Sequence, residues 1–152
     1  MTIARKDIVH PESCRFYHIV TRCVRRAFLC GVDDTTGTDY SHRRQWIVDR
    51  LETLVEAFSI DVAGYAVMSN HAHFVLHLNP SVNDQWSEDE VFRRWSLIYR
   101  PPDWVKDVRA GHGTQAQYAA YVTWLRNCRE RLGDLSWFRH MDVPCAVIAG
   151  AQ

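Results

Sequence analysis

Apolar residues fall along this chain at two spacings, and their order outlines a fold. Over residues 15–30 the stretch Phe16, Tyr17, Ile19, Val20, Thr21 and Val24 is aromatic and β-branched, which predicts a strand. Gly, Asp and Thr dominate 31–40 and predict a loop. Ile47, Leu51, Leu54, Val55 and Phe58 then recur at steps of three and four, predicting a helix over about 41–58 with Asp39 or Ser41 as its cap. Residues 60–68 and 71–78 read as two strands split by the turn-prone Ser69-Asn70, most simply an antiparallel hairpin, and Asn79-Pro80 ends the second. After a loop at 81–87, Val91, Phe92, Trp95 and Ile98 mark a helix over about 88–99, which Pro101-Pro102 stops. Residues 103–114 read as a loop. Tyr118, Tyr121, Val122, Leu125 and Cys128 mark a helix from Gln115 to about Leu132, ended by Gly133. Asp134 is placed to cap a short helix over Leu135–His140.

Strand, helix, strand, strand, helix and more helix is the first part of a ferredoxin-like α+β plan, with an antiparallel sheet, helices on one face and the other face open. The third strand is the informative one. Side chains alternate along it, so Ala72, Phe74, Leu76 and Leu78 point toward the helices, and His71, His73, Val75 and His77 point the other way. His71 and His73 are then neighbours on the open face, roughly 7 Å apart along the strand, while His77 lies roughly 13 Å beyond His73. Two imidazoles so placed share one divalent ion if a third ligand reaches in. A bare His-x-His is more often no more than a pair tolerated on a half-solvated face. The start of the strand, the open face and the neighbouring basic strand shift that balance here. A structural zinc site using His71, His73 and either His77 or His112 is a weaker alternative.

The charge sum changes meaning once it is followed along the chain. The 152 residues carry 18 basic and 18 acidic side chains, which taken whole argues against a nucleic-acid partner. Yet Lys6 and Lys106 are the only lysines, so the basic side is almost all arginine, whose planar fork suits phosphate and guanine edges. High-GC coding bias gives the same preference. Arg15, Arg22, Arg25 and Arg26 make 15–30 locally basic with no acid among them. Arg22, Arg25 and Arg26 are the DNA-contact candidates; solvated edge-strand charge is the plainer reading. The six tryptophans suggest stacking on bases, but Trp46, Trp95 and Trp124 fall on helical patterns and read as core. Cys14, Cys23, Cys30, Cys128 and Cys145 are odd in number and include no Cys-x-x-Cys pair, which argues against a disulfide scaffold or cysteine-rich zinc site and for free thiols in a cytoplasm. The first residues lack the apolar core of a signal peptide, and no apolar run nears the roughly 20 residues that span a bilayer.

The run Gly64-Tyr65-Ala66-Val67-Met68-Ser69-Asn70-His71-Ala72-His73-Phe74-Val75-Leu76 resembles the signature of the single-tyrosine HUH transposases, the insertion-sequence-two-hundred-like transposases, and most closely their REP-associated tyrosine transposase branch. Tyr17-His18-Ile19-Val20-Thr21-Arg22 ahead of Arg26-Ala27-Phe28-Leu29 matches the branch's opening. The resemblance is good over roughly 14–80 and weaker through Arg93-Arg94-Trp95 to Leu135-Ser136-Trp137-Phe138. It implies a cytoplasmic, nucleoid-associated protein that binds single-stranded or hairpin DNA and cuts and transfers a strand. It implies Mg²⁺ or Mn²⁺ on two histidines, here His71 and His73, and a polar third ligand; Gln115 or Gln117 supplies that ligand only if Tyr118 or Tyr121 on the same helix is the nucleophile. A tyrosine from a later helix attacks the phosphate that the metal polarises.

The nucleophile departs from that pattern. In the branch, the tyrosine helix lies shortly before an Asn-Pro, but Asn79-Pro80 here follows the histidine strand. Past Phe138 the chain runs into Arg139-His140-Met141-Asp142-Val143-Pro144 and an apolar tail. The chain therefore reads as a transposase-like domain over 1–138 with an irregular tail over 139–152, the tyrosine helix and last strand removed by truncation or frameshift. The rival places the nucleophile at Tyr121, with Tyr118 as its alternative; a core or rim tyrosine is the plainer reading of Tyr121. Two functions follow: a metal-dependent DNA-cleaving transposase, or a catalytically inactive nucleic-acid-binding remnant of one.

Overall fold

The computed structural model describes residues 15–22 and 29–140. Its elements are β1 (Phe16–Arg22), α1 (Arg43–Ala57), β2 (Ile60–Val67), β3 (His71–Leu78), α2 (Pro80–Gln85), α3 (Glu88–Ser96), α4 (Asp103–Arg109), α5 (Gln115–Leu132) and α6 (Leu135–His140). The three strands form one antiparallel sheet in the order β1-β3-β2. This is the α+β architecture expected from the spacing, with β3 central and joined to β2 by a hairpin in which Met68 N–H donates to the His71 carbonyl at 2.9 Å.

Burial alternates along β3: Ala72, Phe74, Leu76 and Leu78 are buried, and the residues between them are not. The buried set joins one core with Ile47, Leu51 and Leu54 of α1, Val91 and Trp95 of α3, and Tyr121, Leu125 and Leu132 of α5. Removing apolar area of this kind from water is the main favourable term in folding. A one-residue slip of β3 would move its whole apolar set out of that core, so the core fixes the register and with it the face that carries the histidines.

Several local expectations need correction. Neither Asp39 nor Ser41 caps α1. Its N-cap is His42, which makes no side-chain capping bond; Asp39 Oδ1 instead accepts from Ser41 N–H at 2.8 Å, closing a turn just upstream. The stretch 81–87 is not simply loop, because most of it belongs to α2. That helix starts on Pro80 and buries Asn83, whose Nδ2 donates to the Arg129 carbonyl of α5 at 2.8 Å. Within 103–114, α4 buries Val105 and Val108. The α5 boundaries agree with expectation; Thr114 forms a reciprocal capping box with Gln117 and Gly133 is the C-cap. Asp134 caps α6 by accepting from Ser136 and Trp137 N–H at 2.6 and 2.9 Å.

The tryptophans belong to the helical layer. Trp95 is buried in the core, and Trp86, Trp104, Trp124 and Trp137 pack against it. Trp95 meets Tyr99, Trp124 and Trp137 at ring separations of 4.6, 6.3 and 6.4 Å. Trp46 is half-buried on α1, its ring edge-on to His42 at 4.9 Å. No helix among the described residues is long and apolar enough to cross a membrane. Of the irregular tail expected over 139–152, Arg139 and His140 instead close α6, and 141–152 lies outside the described residues.

Candidate functional site

The register of β1 on β3 builds the site. Arg22 stands opposite His71, Val20 opposite His73 and His18 opposite Val75. His18 is therefore the diagonal neighbour of His73 on the same face, within reach of a side chain as long as histidine. On the other flank, a β-bulge between Val62 and Gly64 shifts β2 by one residue, so that Gly64 faces Val75 and Ala66 faces His73. The bulge puts Ala66 beside the His73 imidazole and Gly64 beside Val75.

His71 and His73 come together as expected, with ring centroids 4.9 Å apart in an edge-to-face arrangement. His18 joins them, its Nε2 lying 2.9 Å from His73 Nδ1. The centroids of those two rings are 5.1 Å apart and their planes differ by 15°. That separation nearly equals the N–N distance plus the two ring radii, so the rings meet edge to edge, nitrogen to nitrogen. Lone pairs that meet head-on share a proton; they do not converge on one ion. His18 is thus a hydrogen-bond partner of His73 and not a third ligand. In keeping with this, no group of three His, Cys, Asp or Glu suited to holding a metal occurs among the described residues.

His71 Nδ1 lies 2.5 Å from Asn70 Oδ1, an acceptor; a proton on Nδ1 would donate to it and leave Nε2 its lone pair. If His73 Nδ1–H donates to His18, the same holds for His73. Neither Nε2 has a hydrogen-bond partner among the described residues. Burial, and next the neighbouring His71, His18 and Arg22, push the pKa of His73 down, a shift toward the neutral ring that can donate a lone pair. The donor set fits an open divalent site: two imidazoles held by their far nitrogens, with the other positions left to water and phosphate oxygens, as Mg²⁺ and Mn²⁺ commonly retain. Imidazole favours Mn²⁺ of the two. Among the described residues no closed structural zinc site is assembled. His77 is instead engaged by Asp61, Nδ1 to Oδ2 at 3.3 Å, and by the Phe16 ring at 4.7 Å.

Arg22 is exposed beside His71, whereas Arg25 and Arg26 lie outside the described residues. Tyr121 is 8% exposed within the core cluster. Its hydroxyl accepts from Arg109 Nη1 at 3.0 Å and its ring stacks on Trp124 at 6.1 Å. That cluster contains Ala72 and Phe74, the side of β3 turned away from the imidazoles. Tyr118 is 42% exposed on α5 and lies against the backbone of Gly113. Neither tyrosine contacts His71 or His73 among the described residues. Gln117 is committed to the Thr114 cap through its side chain.

Sequence reasoning missed the roles of His18 and Asn70. Both stand inside the quoted motifs, but only strand register shows that His18 reaches His73. The approach to the site is also set by a contact the sequence did not signal: buried Leu29 donates its N–H to the Ser69 carbonyl at 2.5 Å, and Cys30 Sγ donates to the Met68 carbonyl at 3.3 Å. The segment entering the 31–40 loop is thereby tied to the turn that carries Asn70. Comparisons of the chain with known protein families, with curated proteins and with solved structures find no match.

Proposed function

We propose that this chain is a transposase-like protein that binds structured single-stranded DNA across the open face of its sheet, with His71 and His73 holding Mn²⁺ or Mg²⁺ against a backbone phosphate. The observation that carries the reading is the His71–His73 pair, each ring with Nδ1 engaged and Nε2 without a protein partner among the described residues, beside exposed Arg22. A divalent ion there would draw charge from the phosphate oxygens and orient the group for displacement. Arg22 adds a fork for a second phosphate oxygen. Phe16, 58% exposed on the same face beside His77, offers a base-stacking surface. On this reading the protein works on DNA in the cytoplasm, at the nucleoid.

A second reading, binding without strand cleavage, is favoured by the position of Tyr121, whose hydroxyl is occupied by Arg109 inside the helical layer. One experiment tests both. Labelled hairpin DNA is titrated with protein with and without Mn²⁺, and the products are run on a denaturing gel. Metal-dependent binding that falls at least tenfold in His71→Ala plus His73→Ala is the expected result. Binding that ignores both the metal and the double substitution refutes the proposal. A covalent protein–DNA adduct assigns cleavage; binding without one assigns the second reading.

A further inference from the structure

A histidine binds a metal only through a nitrogen that carries no proton, so its tautomer decides whether a given nitrogen can serve. The tautomer is set by what the other nitrogen donates to. A neutral imidazole left to itself prefers its proton on Nε2. Both candidate ligands here have an acceptor poised against Nδ1 instead. For His71 it is Oδ1 of the adjacent Asn70, at 2.5 Å. For His73 it is Nε2 of His18, brought from β1 by the antiparallel register, at 2.9 Å and edge to edge. The acceptors come from opposite directions, one from the hairpin turn and one from the neighbouring strand, yet they leave the same nitrogen on each ring without a protein partner among the described residues.

We infer that Asn70 and His18 are positioning residues that hold His71 and His73 as their Nδ1–H tautomers and so reserve both Nε2 atoms for the metal. This rests on the reading that His71 and His73 bind a divalent ion, and it assigns to two further residues the task of making that pair competent before any ion arrives. Asn70 does so through a fixed carbonyl oxygen. His18 does so by accepting with Nε2, which places its own proton on Nδ1. Outer-shell partners of this kind are typically worth about 10–100-fold in metal affinity.

The test reads tautomer and affinity separately. Long-range ¹H–¹⁵N correlation spectra of the ¹⁵N-labelled, metal-free chain are recorded at about pH 8, above the ordinary imidazole range. They report which nitrogen of each ring is protonated. Mn²⁺ affinity is measured by water-proton relaxation, with no DNA present. The wild-type chain should show Nδ1–H for His71 and His73. Asn70→Ala should move the His71 proton to Nε2, His18→Ala should do the same for His73, and each should weaken Mn²⁺ binding about 10–100-fold. Asn70→Asp and His18→Gln, which keep an acceptor oxygen, should restore both the tautomer and most of the affinity. Alanine variants that keep wild-type tautomers and bind Mn²⁺ as tightly as wild type overturn the positioning role alone. A wild-type chain that binds no Mn²⁺ overturns the metal reading, and the positioning role with it.

Discussion

Tyr121→Phe separates a structural tyrosine from a nucleophile, because the change removes one oxygen atom and leaves the ring. That oxygen accepts from Arg109 Nη1 at 3.0 Å in the core between α4 and α5. A hydrogen bond to a charged group is worth about 1.5–3 kcal/mol when its loss leaves the charge unsatisfied. Arg109 is not left so: Nη2 still donates to Asp89 at 2.7 Å, its side chain is 30% exposed, and the guanidinium sits over the Phe92 ring at 4.1 Å. The expected loss therefore falls below that range, to the about 1 kcal/mol of an ordinary hydrogen bond, or about 2–4 °C in Tm for a chain of this size. Tyr121→Ala also removes the ring stacked on Trp124 and should cost about 3–5 kcal/mol. Tyr118→Phe, at an exposed position, should cost almost nothing. Urea unfolding measures all three, and hairpin-DNA binding by Tyr121→Phe should match wild type. A Tyr121→Phe protein of undiminished stability that has lost a covalent DNA adduct formed by wild type would refute the structural assignment and restore Tyr121 as nucleophile.

Other substitutions probe the frame around the site. Glu90 is held to a pKa of about 2, chiefly by its hydrogen bonds to Arg93 and Arg94; a depressed carboxylate stabilises the fold above its unfolded pKa and loses that contribution as pH falls. Stability should thus decline between about pH 4.5 and 2, and Glu90→Gln should flatten that decline by about 1 kcal/mol after allowance for solvent screening of these partly exposed pairs. A Cβ on Gly133 would lie 2.6 Å from Asn83 Nδ2, which is already bonded to the Arg129 carbonyl, so Gly133→Ala should destabilise by about 1–3 kcal/mol in urea unfolding. Burial pushes the Cys128 thiol up to about 12; peptide mass mapping after alkylation at about pH 8 should find it modified only when denaturant is present.

The strands and the long helices were legible because each carries a period. β3 reads with its observed limits, His71–Leu78, since apolar residues recur at every second position and Asn79-Pro80 ends it, although Val75 adds an apolar residue to the open face. α5 was read as Gln115–Leu132 from apolar steps and a terminal glycine. Of the short helices, α6 was legible from the Asp134 cap, but α2 and α4 were not. α4 buries only Val105 and Val108 over seven residues, too few turns for a period to stand out. α2 reads Pro-Ser-Val-Asn-Asp-Gln and buries a polar residue, Asn83, so its anchor is a contact 46 residues away in sequence with Arg129. Local pattern carries no trace of such a partner.

The site divides in the same way, and the division has a physical cause. His71 and His73 lie on one strand, so a period of two suffices to put them on one face. His18 belongs to the site only because β1 pairs antiparallel with β3 in a register that sets Val20 against His73. Shifted by one residue, β1 would send His18 to the opposite face of the sheet and bring Ile19 to this one. The register is not chosen by the imidazoles. Tyr17 and Ile19 pack against the core on the same side as Phe74 and Leu76, which face them across the ladder. Apolar residues on one face thus determine which polar residues meet on the other. A substitution such as Ile19→Asp should accordingly disturb the His18–His73 bond without touching either ring, by weakening the pairing that aligns them.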